Sequence, residues 1–232
     1  MLLDARVFAA YGRPCAGAIT AITVQTLDNG LSVHPIEPQL FRRNLDAALA
    51  TGPEAIKIGM LGNVAITSQV ADTIRDIAIP IVLDPIIRAT SGLQLLDEEG
   101  VIFLQRELLR FCNIVTPNWD EASLLTGLDV SNIGTAAVAA RQIFESSDVP
   151  VLVTGGHSKS DLVDILVDDA GLIELPSDRV AGDFRGTGCA LSSAIATELA
   201  DGKSLRRAAL SAKEFLAASL ANSTPPYITF SI

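Results

Sequence analysis

The sequence predicts a doubly wound α/β fold, a mostly parallel sheet flanked by helices on both faces, in a single domain over residues 1–232. Three observations lead there. Short apolar runs rich in β-branched residues alternate with stretches of helical period. The 232 residues, 49% of them hydrophobic, suffice for one large core. No linker, repeat or low-complexity tract divides the chain.

The elements follow in order. Residues 2–11 have a helical pattern with Leu3, Val7 and Ala10 on one face. Strands are expected at 18–25, 55–58, 81–84, 113–116 and 151–154, as in the run Ile81-Val82-Leu83. Helices are expected between them at 38–50, 64–77, 97–109, 120–125 and 135–145, giving repeated βα units. Residues 163–167 and 172–175, joined by Asp168-Asp169-Ala170-Gly171, read as a hairpin. One closing helix runs from about 188 to 200 and stops at Asp201-Gly202. The last starts after Ser204, a good N-cap, with Leu205, Ala208, Ala212 and Phe215 in phase.

Composition excludes several functions. A net charge of −10 argues against a general nucleic-acid binder, whose affinity comes from clustered Lys and Arg. Cys15, Cys112 and Cys189 are odd in number and lack ligand spacing, which indicates neither a disulfide framework nor a zinc site and fits a reducing cytoplasm. Neither a signal peptide nor an apolar run of about 18 residues is visible, so no membrane partner is expected.

In open parallel sheets ligands sit beyond the carboxyl ends of the strands, so chemistry is sought there. Arg185-Gly186-Thr187-Gly188-Cys189 runs into a helix of small residues. Free N–H groups at such a start point at a bound anion and would stabilise a phosphoryl group. As a lone Gly-x-Gly it reads equally as an ordinary turn. Asn118 and Glu121 stand three apart at a helix start, either as a capping box or as a site where Glu121 holds Mg²⁺ through water. Asp84-Pro85 puts a second carboxylate at a strand end, where a turn residue is the plain alternative. Thr154-Gly155-Gly156-His157 follows another strand and would let a nucleotide approach the backbone. His34 and His157 have no ligand-spaced partner. Gln25, at the end of 18–25, can pair through its amide with an aminopyrimidine edge.

Taken together, Lys57-Ile58-Gly59-Met60-Leu61-Gly62, Asp84-Pro85, Thr116-Pro117-Asn118 with Glu121, Gly155-Gly156-His157 and Gly186-Thr187-Gly188-Cys189 resemble the phosphomethylpyrimidine kinase family in order and spacing. The resemblance spans nearly the whole chain. It implies a ribokinase-like sheet and phosphoryl transfer from ATP, with Mg²⁺, to hydroxymethylpyrimidine or its phosphate in thiamine synthesis. Residue by residue, it implies that Gln25 holds the pyrimidine while Val24 and Met60 flank its ring. Gly186, Thr187, Gly188 and Cys189 form the anion hole, and Asn118, Thr154, Gly155 and Gly156 lie along the nucleotide. Glu121 and Asp84 organise the magnesium. Cys189 matches the position of an Asp base in sugar kinases of the wider superfamily, and a thiol at a helix start can have a lowered pKa.

The chain departs from the family in places. The family opens with a strand and a Gly-Ser-Asp-x-x-Gly-Gly-Ala-Gly type loop, whereas residue 1 falls at the helix that follows, and Asp4 matches the aspartate just beyond those glycines. The expectation is a sheet lacking the family's N-terminal strand, a substrate pocket open beside Asp4, and a free edge that favours a homodimer. Thr154 and Thr90 stand where the family carries lysines, and Arg185 returns one charge. The competing readings are pyridoxal kinase and a catalytically weak ligand-binding relative.

Overall fold

The computed structural model describes residues 1–26, 30–89, 91–155, 162–177 and 180–230. Six strands form one sheet in the order β3 (Ile56–Ile58), β4 (Ile81–Leu83), β5 (Ile114–Val115), β6 (Val151–Val153), β7 (Leu162–Asp168) and β8 (Gly171–Ser177). β3 to β6 pair in parallel, and β7 and β8 add an antiparallel hairpin.

Strand alternation sorts the apolar residues into two cores. Ile81, Leu83, Val115, Val151 and Val153 face one way, into a cluster with residues of α2 (Pro38–Leu49), α3 (Val64–Ile74), α5 (Trp119–Thr126) and α6 (Ile133–Ser147). Val82, Ile114 and Leu152 face the other way, against α1 (Leu2–Ala10), α7 (Thr187–Ala200) and α8 (Leu205–Ala221). Both faces are thus covered, as the continuous apolar runs of the central strands require. α7 is buried from Ala190 to Glu198, and its alanines let the helix lie close to the sheet.

Two expectations need correction. The run at 18–25 does not join the main sheet. Residues 21–25 form β1 (Ala21–Gln25), which pairs antiparallel with β2 (Gly30–Pro35), a strand missed in the sequence, as a separate two-stranded sheet. Its residues Ile22, Val24 and Leu31 are exposed, so the alternation there reflects a hairpin covered on one side at most. β3 therefore ends the main sheet, and its outer edge has no strand partner among the described residues.

The helix expected at 97–109 is not uniform. α4 (Glu98–Phe103) is capped by Asp97, which accepts the Gly100 N–H at 2.7 Å. The chain then widens into a π turn over Leu104–Leu108 and tightens into a 3₁₀ turn over Leu109–Phe111. The change of pitch turns Leu104, Leu108 and Leu109 all into the core, which an unbroken 3.6-residue period would not do. Ser204 precedes α8 as expected, but its hydroxyl makes no capping bond.

Candidate active site

The carboxyl ends of β3, β4, β5 and β6 lie side by side. Asp84 N–H donates to Ile58 O at 2.8 Å, Thr116 N–H to Leu83 O at 2.9 Å, and Thr154 N–H to Pro117 O at 2.9 Å, so the ladder carries each strand's last residue into register with its neighbour. This lines up Gly59-Met60, Asp84, Asn118 and Thr154 on one rim, with the start of α7 above it.

Lys57 is the centre of the site's charge, and the sequence reading gave it no role. Its side chain, 5% exposed, places Nζ 3.0 Å from Asp4 Oδ1 and 3.1 Å from Asp84 Oδ2. Ser193 donates to Asp4 Oδ1 at 2.8 Å and Ser192 to Asp84 Oδ2 at 3.3 Å, which ties both carboxylates to α7. Burial alone would lower the pKa of this ammonium, but Asp84, Cys189 and Asp4 around it raise it above its usual value, so Lys57 stays charged. Burial likewise works against ionised Asp4, yet Lys57, the chain's amino terminus and Ser193 hold its carboxyl at about 2. The signal for Lys57 was present in Ile56-Lys57-Ile58, a lysine inside an apolar strand.

Asp4 was expected beside the substrate. It is buried instead, with both oxygens engaged: Oδ1 by Lys57 and Ser193, Oδ2 by the amino group of Met1 at 2.6 Å. Its place is beneath the site.

Gly186 caps α7 with φ of 80°, and a Cβ there would meet Leu3 Cδ2 at 2.7 Å. Glycine is required on both counts. The first intrahelical bond is Ala190 N–H to Gly186 O, so the N–H groups of Thr187, Gly188 and Cys189 precede the helical ladder and are available to an anion. A Cβ on Gly188 would meet nothing within 4 Å, so this turn faces open space.

Cys189 does not behave as a helix start alone would make it. Burial first, and then the Asp84 carboxylate its thiol bonds to, push its pKa well above the ordinary thiol range, and Lys57 offsets this only in part. The lowered pKa expected for a base is absent, because a carboxylate faces the sulfur. The thiol is neutral near pH 7.

Asn118 and Glu121 form a complete capping box: Asn118 Oδ1 accepts the Glu121 N–H at 2.9 Å, and Glu121 Oε2 accepts the Asn118 N–H at 2.9 Å. Yet Glu121 is 5% exposed, unlike a surface cap. Burial, reinforced by Asp84, raises its pKa to about 8. Two carboxylates therefore face one region, an arrangement a divalent cation would relieve. Among the described residues no three His, Cys, Asp or Glu side chains gather as a metal cage. One or two carboxylates with waters and phosphates is nevertheless the usual Mg²⁺ donor set, and Glu121 with Asp84 fits it. A cavity of about 480 Å³ opens beside them, lined by Arg88, Asn118, Asp120 and Glu121 among others. Arg88, which lines this cavity, and Arg185, which precedes Gly186 in the chain, are both exposed.

The nucleotide loop is only partly as expected. Gly155 does not offer its N–H outward, since that group donates to Asp164 Oδ1 at 2.7 Å, and a Cβ at 155 would meet Val163 O at 2.1 Å. Its glycine character serves packing on β7. Thr154 bridges to Asn118 across β5 and β6. Gly156, His157 and Thr90 lie outside the described residues.

Of the residues expected at the pyrimidine, Met60 lies on the rim, and its carbonyl accepts from Thr20 Oγ1 at 2.6 Å, which fastens the β1–β2 hairpin over β3. Val24 stands further along that hairpin, 46% exposed, and Gln25 ends β1 opposite Gly30.

Comparison with known proteins finds relatives along nearly the whole chain. A family model described as "Phosphomethylpyrimidine kinase" matches residues 2–227. A hydroxymethylpyrimidine/phosphomethylpyrimidine kinase of Aquifex aeolicus is 36% identical over 96% of this chain and 89% of its own length. The crystal structure of phosphomethylpyrimidine kinase from Clostridium difficile superposes with a TM-score of 0.81 at 28% identity, covering 94% of this chain and 91% of that one. The ADP complex of Bacillus subtilis pyridoxal kinase gives 0.87 at 29% identity, covering 97% and 87%.

Proposed function

Because the chain belongs to the phosphomethylpyrimidine kinase family, we propose that it transfers the γ-phosphoryl group of ATP to hydroxymethylpyrimidine or its monophosphate, a step of thiamine synthesis. The observation that carries this reading is the start of α7, where the Thr187, Gly188 and Cys189 N–H groups face open space above the Asp84–Lys57 pair. Donors fixed in advance stabilise the charge that develops on a transferred phosphoryl group without reorganising. Asn118, Thr154 and the cavity beside Arg88 would take the nucleotide, and Met60, Val24 and Gln25 the pyrimidine. Arg88 and Arg185 supply positive charge where the family's lysines are replaced by Thr90 and Thr154.

Glu121 and Asp84 would hold Mg²⁺. Bound there, the ion neutralises phosphate charge. Lys57 aims Asp84 by pairing with it, and Ser192 ties that carboxylate to the first turns of α7. The neutral Cys189 thiol leaves the acceptor's proton to be lost late, as a loose transition state allows, so Cys189 acts through its backbone N–H.

A second reading, pyridoxal kinase, is favoured by the 0.87 superposition on the Bacillus subtilis enzyme. Relative kcat/KM for hydroxymethylpyrimidine and pyridoxal, followed by ADP release, separates the two: we expect the pyrimidine to be preferred, and a preference for pyridoxal would replace the substrate assignment. Pairing as a homodimer through the β1–β2 hairpin, where Ile22, Val24 and Leu31 are exposed, belongs to the same proposal, as does a cytoplasmic location consistent with three free cysteines. Sedimentation of the full chain tests the dimer. No helix among the described residues is long and apolar enough to cross a membrane.

A further inference from the structure

A second buried ion pair lies beside Gly155, just past the end of β6, apart from the Asp84 cluster. Lys213, on α8, is 8% exposed. Its ammonium pairs with Asp164 Oδ2 of β7 and donates to Leu175 O of β8 at 2.8 Å. The other oxygen, Asp164 Oδ1, accepts the Gly155 N–H at 2.7 Å. One carboxylate thus joins a helix on one face of the sheet to Gly155, the residue after Thr154, which is proposed to take the nucleotide.

Packing alone does not account for this arrangement. Lys213 follows Ala208, Ala209 and Ala212 on the buried side of α8, where an apolar residue would fill the space without desolvating a charge. A buried carboxylate is suited to accepting donors from opposite sides, here an ammonium from α8 and the backbone N–H of Gly155. Gly155 is restrained from its other side as well, because a Cβ would lie 2.1 Å from Val163 O. Thr154, just before it, is fixed to Asn118 by the strand bridge. The position of Gly155 is therefore set by Asp164, and Asp164 is set by Lys213.

Resting on the reading of Thr154 as a residue of the nucleotide site, we propose that Lys213 and Asp164 are positioning residues for ATP. They act on nucleotide affinity through the Gly155 N–H and touch neither the phosphates nor the pyrimidine.

Two charge-free double variants test this, K213M/D164N and K213M/D164L. Both remove the buried ion pair, which neutral groups can replace without loss of folding, and only the second removes the acceptor for Gly155. Thermal melts confirm folding, and KM for ATP, KM for the pyrimidine, kcat and ADP affinity by calorimetry are compared with the wild type. Losing one buried hydrogen bond should raise KM for ATP and Kd for ADP roughly tenfold in K213M/D164L, with kcat and the pyrimidine KM within about twofold. K213M/D164N should stay within about threefold of the wild type for ATP, since the asparagine oxygen still accepts from Gly155. As a second comparison, K213R should keep the wild-type KM for ATP while K213M raises it. Equal ATP constants in the two double variants, or in K213R and K213M, would overturn the proposal. A wild-type protein that binds no ADP would overturn the underlying reading of Thr154, a result distinct from both.

Discussion

Lys57 Nζ stands 3.1 Å from Asp84 Oδ2, and this contact joins the carboxyl end of β4 to a lysine whose side chain is buried. Removing the ammonium would leave Asp84 and Asp4 facing each other in a buried place. K57M should therefore lose roughly 3–5 kcal/mol of stability by urea denaturation. K57R, which keeps the charge, should lose clearly less. Equal and small losses in both would mean that the pair is solvated.

Acid should weaken the same cluster. Asp4 has a folded-state pKa lowered from 3.8 to about 2, so its contribution is present above pH 4 and is lost as pH falls through about 2. A shift of this size corresponds to about 2 kcal/mol. In D4N the unfolding free energy should be lower at pH 7 and should fall less steeply between pH 4 and pH 2. Parallel pH profiles for the wild type and D4N would contradict this.

Glu121 separates a cap from a metal ligand. With its pKa raised to about 8, Glu121 is mostly protonated at pH 7 in the free protein, and an amide can still accept the Asn118 N–H. E121Q should thus melt close to the wild type while its turnover with MgATP falls by roughly a hundredfold or more. A loss of about 1 kcal/mol in stability with unchanged turnover would make Glu121 a capping residue alone.

Much of this was legible in the sequence, and the reasons for the gaps are physical. The central strands were clear because runs such as Ile81-Val82-Leu83 are buried on both faces, and the Gly186 turn because only glycine fits its φ of 80°. β2 was missed because Leu31 and Val33 alternate on an exposed hairpin with no continuous apolar run. Asp164 and Lys213 were passed over because neither shows its burial without its partner, 49 residues away, and Lys57, though marked by its place in an apolar strand, was given no role because its nearest partner, Asp84, lies 27 residues on. The pKa of Cys189 was misjudged for the same reason, since Asp84 meets the thiol only in the folded chain.

The proposed anion hole relies on backbone donors more than on sulfur. C189S should fold normally and keep activity within roughly tenfold of the wild type, because the turn and its N–H groups remain. A bulky residue at Gly188 projects into the open space where the phosphoryl group is expected and should abolish turnover without unfolding the protein. Equal inactivity of both folded variants would make the thiol essential.

The proposed reaction is transfer of a phosphoryl group from ATP to hydroxymethylpyrimidine or its monophosphate. Mass spectrometry of the product tests it most directly: the full chain is incubated with MgATP and hydroxymethylpyrimidine, and separately with its monophosphate, beside G188F as the control. A pyrimidine carrying one added phosphoryl group is expected with the wild type in at least one of the two reactions and in neither with G188F. An unmodified pyrimidine in both wild-type reactions, from protein that is folded and binds ADP, would contradict it.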